Sequence, residues 1–332
     1  MIPNLAIADA IRAFEPKAKL SYLGSHKGIE KTLVPAAGIP FEEISTGKFR
    51  RYFSLENVAD LFRIPLGAVQ AFFKLGRLKP TVVFSKGGFV GFPVVVAAWL
   101  RKIPVVIHDS DAIPGLATRL TARFADKILL AYETAHMELE RYDDKIEMTG
   151  NPVRLSLFEG SKKRAQRATG FTGTRPVLLV MGGSSGSEQI NALVAREKKN
   201  WLEKFDIIHI SGRKSKGRHE KHYVEFPYVD KGMNDLYALA SLALTRAGAN
   251  TLAELQALQI PALLYPLGTA GSRGDQIANA KIAAVESPLF VVADEKAAAL
   301  KQLLALPERP GSNSQNTATE KIAWLLLSYS KS

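Results

Sequence analysis

The chain has no cysteine among its 332 residues. That absence excludes disulfides, thiolate catalysis and cysteine-ligated zinc, and makes a reducing cytoplasm the simplest home. No apolar run approaches the ~18 residues needed to cross a bilayer as a helix. The N-terminal MIPNLAIADAIRAF carries an acid where a secretory leader would need a basic start and a long apolar core, so no signal peptide is expected. Internal repeats and low-complexity tracts are also missing. What is present is an ordinary globular composition, 46% hydrophobic and 23% charged, with a formal net charge of +12. The length favours two domains over one, and the basic surplus implies an anionic partner, with nucleic acid or an anionic membrane surface as candidates.

Short β-rich apolar runs alternate with helical stretches along the whole chain. Residues 18–24, 81–85, 103–108, 177–181, 207–210, 242–245 and 262–265 read as strands, and 92–101 and 319–329 as helices. Near-continuous apolar strands of this kind belong to parallel sheets buried on both faces, so the expected class is α/β with two doubly wound halves. Gly150-Asn151-Pro152-Val153 is the expected hinge, since Asn-Pro marks a turn. The division expected is an N-terminal domain over 1–150, a C-terminal domain over 151–315 and a final helix over 316–332 free to pack on either half. A doubly wound domain normally opens with a strand that becomes central in the sheet. This chain opens instead with a helix that has proline near its first turn. Either the sheet reorganises or the natural protein starts upstream of Met1.

The richest stretch is GANTLAELQALQIPALLYPLGTAGSRGDQIANA, residues 248–280. It reads as a helix bearing Glu254, a buried strand, a glycine-rich loop and a second helix opening on Asp275, Gln276 and Asn279. Loops after strand C-termini are where open α/β sheets bind ligands, and helix N-termini there favour phosphate. A nucleotide-sugar pocket is the expectation. Gly182, Gly183 and Gly186 would let a phosphate approach backbone amides, with Ser184 adding a hydroxyl; a plain tight turn is the other reading. Arg154, after Asn-Pro, would clamp a diphosphate or else be a solvated arginine. Glu254 would accept from ribose hydroxyls or serve the helix dipole. Asp275, Gln276 and Asn279 would contact the sugar or cap a helix.

Seven ordered blocks carry a resemblance. PNLAIADAIR at 3–12, SKGGFVGFPVVVAAW at 85–99, IPVVIHDSDAIPGLATRLTARFADKI at 103–128, GNPVR at 150–154, MGGSSGS at 181–187, TRAGANTLAEL at 245–255 and DQIANA at 275–280 resemble the MurG family over nearly the whole chain. That family transfers N-acetylglucosamine to the lipid-linked muramyl-pentapeptide precursor of peptidoglycan. The resemblance implies a GT-B fold of two Rossmann-like domains facing a cleft, and inverting transfer from UDP-N-acetylglucosamine without metal or cofactor. It implies donor contacts from Arg154, Gly183, Ser184, Glu254, Asp275, Gln276 and Asn279, and uracil reading by the backbone of Val229. Acceptor-side contacts fall to Gly87, Gly88 and Asp111.

The family's opening strand and Gly-Gly-His loop do not appear in the sequence, and its His-Glu-Gln-Asn block stands as His108-Asp109-Ser110-Asp111. His108 and Asp109 are thus the catalytic acid–base candidates. Residues 47–79 interleave Phe49, Tyr52, Phe53, Phe62, Phe72 and Phe73 with Lys48, Arg50, Arg51, Arg63, Lys74, Arg77 and Lys79, which suits an anionic membrane interface or an amphipathic helix with snorkelling cations. The expected place is the cytoplasmic face of the cell membrane, with lipid I (undecaprenyl-pyrophosphoryl-N-acetylmuramyl-pentapeptide) as acceptor. A donor-binding remnant without turnover and another GT-B enzyme are the alternatives; a nucleic-acid binder is disfavoured because no nucleic-acid module is present.

Overall fold

The computed structural model describes residues 1–26, 28–47, 55–183, 186–229, 231–266, 274–311 and 317–330, with side chains omitted over 55–62. Ser184 and the segment 48–54 of the basic aromatic stretch therefore lie outside the described residues. The chain divides into two units, Met1–Arg154 with Thr317–Ser332, and Leu155–Asn316.

The first unit runs through α1 (Ile2–Phe14), β1 (Tyr22–Ser25), α2 (Glu30–Ala36), β2 (Phe41–Ile44), α3 (Leu55–Leu78), β3 (Val83–Ser85), α4 (Gly88–Leu100), β4 (Val105–Asp109), α5 (Leu116–Thr121), β5 (Lys127–Leu130), α6 (Glu133–Met137) and β6 (Ile146–Met148). All its strands pair in parallel, but in two sheets: β3-β4-β5-β6, and β1 with β2 alone. Alternation along β4 and β5 explains why both faces must be covered. Val105, Ile107, Ile128 and Leu130 point to one side, where they meet Ala71 and Leu75 of α3 and Val94, Val95, Ala97 and Ala98 of α4. Val106 and Leu129 point to the other and meet Ile7, Ala10 and Ile11 of α1. Helix α4 begins at Gly88, four residues before the start expected at Phe92, because Gly87 takes a positive φ of 72° and turns the chain directly from strand to helix.

The second unit contains α7 (Lys162–Thr169), β7 (Val177–Met181), α8 (Glu188–Trp201), β8 (Asp206–Ile210), β9 (Arg218–Glu220), β10 (Tyr223–Phe226), α9 (Met233–Leu239), β11 (Leu242–Thr245), α10 (Ala249–Ala257), β12 (Ala262–Leu264), α11 (Asp275–Glu286), β13 (Phe290–Val292) and α12 (Ala299–Leu304). Its sheet order is β13-β12-β11-β7-β8-β10-β9, parallel except for the edge strand β9. Setting that edge aside, the order is that of a dinucleotide-binding Rossmann sheet, with the first strand, β7, beside the fourth, β11. Leu178, Val180, Ile207 and Leu244 pack under Ile190, Leu193, Val194 and Trp201 of α8. The final helix, α13 (Ala318–Ser328), belongs to the first unit, where Ile322, Ala323, Leu326 and Leu327 share the core with α1. Its Thr319 hydroxyl accepts from the Val153 amide and donates to the Val153 carbonyl, both at 2.8 Å, which fixes the backbone just before Arg154.

One buried polar knot stands out in the second unit. His209 donates from Nε2 to Asn191 Oδ1 at 3.0 Å and accepts at Nδ1 from the Tyr223 hydroxyl at 2.8 Å. Burial lowers its pKa from 6.5 to about 4. Between these values the unfolded chain binds more protons than the folded one, so stability falls as pH drops through that window. Urea unfolding of the wild type should lose up to roughly 3 kcal/mol more between pH 6.5 and 4 than unfolding of a His209→Gln variant. Identical pH slopes for the two would show that His209 is not the sensor.

Candidate functional site

Three segments of the first unit converge at the C-terminal ends of its strands. Lys86, which follows β3, places its Nζ 3.0 Å from His108 Nδ1 and 2.5 Å from Ser110 Oγ. His108 is fully buried at the end of β4, and its Nε2 lies 3.0 Å from the Gly150 carbonyl. A carbonyl accepts only, so Nε2 carries the proton and Nδ1 offers its lone pair to Lys86. Burial holds the His108 pKa well below its ordinary value, with the Lys86 charge adding to the effect. Neither ring nitrogen is left to take a proton from a substrate. His108 is thus a buried neutral strut between Lys86 and Gly150, an arrangement that speaks against the expected role of catalytic base.

Asp109 is likewise engaged in holding structure. It is only 6% exposed, and its two carboxylate oxygens accept from the Asp111 amide at 3.1 Å and the Gly115 amide at 2.9 Å, shaping the loop that leads into α5. The acceptor-side residues Gly87, Gly88 and Asp111 do come together around this network. Gly87 caps α4, Gly88 is exposed at its first turn, and Asp111 lies close enough to act on the Lys86 charge. Lys86 itself was not singled out from sequence. Its signal was the position directly before the Gly87-Gly88 pair, and only the fold shows that burial lowers its pKa to about 7 despite the Asp109 and Asp111 charges.

In the second unit the predicted donor residues gather at the β7–β11 junction. Gly183 has φ 84°, and a Cβ there would stand 2.9 Å from a guanidinium nitrogen of Arg246. Gly186 has φ 78°, and a Cβ would stand 2.4 Å from the Ser211 carbonyl. The positive φ favours glycine at both positions, and at Gly186 the Ser211 backbone also excludes a side chain; the turn presents the N-terminus of α8, capped by Ser187. Arg246 follows β11 and was also missed, though it sits inside the TRAGAN block. Burial lowers its pKa, and its Nε is buried with no hydrogen-bond partner among the described residues. A half-buried cation beside a glycine turn and a helix N-terminus favours an anion there.

Glu254 lies on α10, where its Oε2 accepts from the Tyr237 hydroxyl at 2.8 Å. Asp275 and Gln276 open α11; Gly274, not Asp275, is the N-cap, so the capping alternative for Asp275 does not hold. Asp275 Oδ1 is buried without a hydrogen-bond partner among the described residues. Asn279 is fully buried and its amide donates to the Ala247 carbonyl at 3.3 Å. Asn279 has a holding role here: it ties α11 to the loop between β11 and α10. Val229 lines a cavity of about 180 Å³ between α7 and α9, walled by Arg164, Phe226, Tyr228 and Asp235. Arg154 is half-buried at the end of the first unit. Among the described residues no group of three His, Cys, Asp or Glu is arranged to hold a metal, and no described helix is long and apolar enough to cross a membrane.

Two Rossmann-like α/β units with parallel sheets and glycine turns at strand ends are the architecture of the GT-B class. The chain matches the glycosyltransferase family 28 N-terminal domain over residues 1–130 and the family 28 C-terminal domain over 177–323, and it belongs to that family. It is 41% identical over 282 residues to UDP-N-acetylglucosamine–N-acetylmuramyl-(pentapeptide) pyrophosphoryl-undecaprenol N-acetylglucosamine transferase 2 of Bacillus cereus, covering 84% of this chain and 79% of that one. To the transferase of the same description from Legionella pneumophila it is 43% identical over 286 residues, covering 84% and 77%. Among solved structures it resembles Acinetobacter baumannii MurG, with a TM-score of 0.70 at 21% identity over 98% of this chain and 95% of that one. The UDP-GlcNAc 2-epimerase of Methanocaldococcus jannaschii shares the fold at a TM-score of 0.64 and 16% identity, covering 98% of this chain and 96% of that one.

The strut reading of His108 has a direct consequence. His108→Asn leaves the Gly150 carbonyl without its donor and should cost about 1–3 kcal/mol of stability. UDP affinity should stay within about twofold, because the change lies in the other unit. Loss of turnover at unchanged stability would restore a catalytic role.

Proposed function

We propose that the chain transfers N-acetylglucosamine from UDP-N-acetylglucosamine to the undecaprenyl-linked muramyl-pentapeptide acceptor, with inversion and with protein groups alone meeting the developing charge. The observation that carries the reading is Arg246, half-buried beside Gly183 at the β7–β11 junction in a chain whose curated relatives bear that transferase name. The departing nucleoside diphosphate gains negative charge, and a fixed guanidinium with the N-terminus of α8 opposes it in a site that needs no rearrangement. Glu254 accepts from the ribose, Asp275 and Gln276 from the sugar, and the backbone at Val229 reads the base. On the acceptor side, Lys86 and Asp111 face the incoming substrate from a loop held by His108 and Asp109.

The acceptor is a lipid, and α3 suits a membrane surface. Leu66, Val69 and Phe73 are 50%, 53% and 70% exposed at a spacing that puts them on one face of the helix. Trp99 and Leu100 of α4 are exposed as well, at 51% and 57%, with Arg101 and Lys102 following them. Apolar side chains beside cations fit the interface of an anionic leaflet. The enzyme accordingly works as a peripheral protein at the cytoplasmic face.

Transfer of labelled N-acetylglucosamine to a short-chain lipid I analogue tests the function. Arg246→Ala should lower kcat/KM by about 10²–10³, and Glu254→Ala should raise the donor KM by about 10–100-fold. No transfer by the wild type, with UDP still bound, would favour a donor-binding protein without turnover. Phe73→Asp should weaken sedimentation with anionic vesicles at low salt; equal binding by variant and wild type would remove α3 from the interface.

A further inference from the structure

We propose that Tyr237 is a positioning residue for ribose recognition, its phenol locking the Glu254 carboxylate in the orientation that reads two neighbouring hydroxyls of the donor. The inference rests on the reading of Glu254 given above. Tyr237 lies on α9, is 2% exposed, and donates its hydroxyl proton to Glu254 Oε2 at 2.8 Å, with Met181 Sδ at the end of β7 3.8 Å away. A buried tyrosine hydroxyl must find an acceptor, and core packing would be served equally by phenylalanine. Here the acceptor is a carboxylate on a different helix, which makes the bond charge-assisted and directional.

A second clamp holds the two helices in register. Arg309 donates to the carbonyls of Tyr237 at 2.9 Å and Ala240 at 2.7 Å, and to that of Leu258 at 3.0 Å. It thus pins the C-terminal ends of α9 and α10 to each other, and with them the Tyr237–Glu254 distance. A free glutamate has three rotatable bonds, and ordering it on binding would cost affinity. With one oxygen already tied to the phenol, the plane of the carboxylate is set before the nucleotide arrives. A fixed, acceptor-only group discriminates hydroxyl donors from a missing hydroxyl more sharply than a mobile one does.

Calorimetric titration of UDP and 2′-deoxy-UDP into wild type, Tyr237→Phe and Glu254→Ala tests the proposal, with melting curves for each. The wild type should prefer UDP by about tenfold or more. Tyr237→Phe should shrink that preference to about two- to threefold by weakening UDP while leaving 2′-deoxy-UDP unchanged. Glu254→Ala should abolish the preference. Full preference in Tyr237→Phe, with none in Glu254→Ala, would overturn the positioning role while leaving the Glu254 reading intact. Equal weakening of both nucleotides with a lowered melting temperature would overturn it too, as a merely structural effect. Preference retained in Glu254→Ala would bring down the reading of Glu254 and the proposal with it.

Discussion

Strands β7 and β11 lie side by side and parallel, yet they are not consecutive in their sheet's winding. From β7 the order proceeds outward through β8 and β10, and from β11 it proceeds the opposite way through β12 and β13. Right-handed crossovers then send the following helices to opposite faces, and the loops after the two strands part. The positions of Gly183, Arg246 and Asn279 follow from this. The turn after β7 needs glycine because Gly183 and Gly186 take positive φ and the Ser211 carbonyl crowds Gly186. Arg246 stands where it does because it is the first residue after β11. Asn279 closes the arrangement by tying α11 back to Ala247.

The first unit also gathers polar groups at its strand ends, but without a reversal, since β3, β4, β5 and β6 follow one another in the sheet. Its strand ends converge on a buried chain running from Ser110 through Lys86 and His108 to the Gly150 carbonyl, and Asn151 donates to the Ser110 carbonyl at 2.9 Å. Such a chain orders three loops at once, since each buried donor or acceptor left alone would be costly. It also holds the Lys86 ammonium where burial lowers its pKa to about 7.

Much of this was legible in the residues. Runs such as Val177–Met181 and Leu242–Thr245 announce strands buried on both faces, and both strands occupy the centre of their sheet. The glycine turn after β7 and the helix carrying Glu254 stand where residue type and spacing put them. Other features were not legible. Strands β2, β6 and β13 are three or four residues long with mixed burial and β9 is three exposed residues, so they carry no periodicity to detect. His108 looked catalytic because a histidine beside an acid suits proton transfer; that both its nitrogens are spent depends on Lys86 and on Gly150, 42 positions away in sequence. Asn279 looked like a ligand contact for the same reason, since its partner Ala247 is 32 positions distant. Arg246 and Tyr237 were invisible as site residues because their roles arise from neighbours on other elements.

A crystal structure with UDP-N-acetylglucosamine bound tests the central claim most directly. The account predicts the diphosphate over the turn at Gly183 within hydrogen-bonding distance of Arg246, and the ribose hydroxyls on Glu254. A nucleotide bound away from the ends of β7 and β11, with Arg246 and Glu254 untouched, would contradict it.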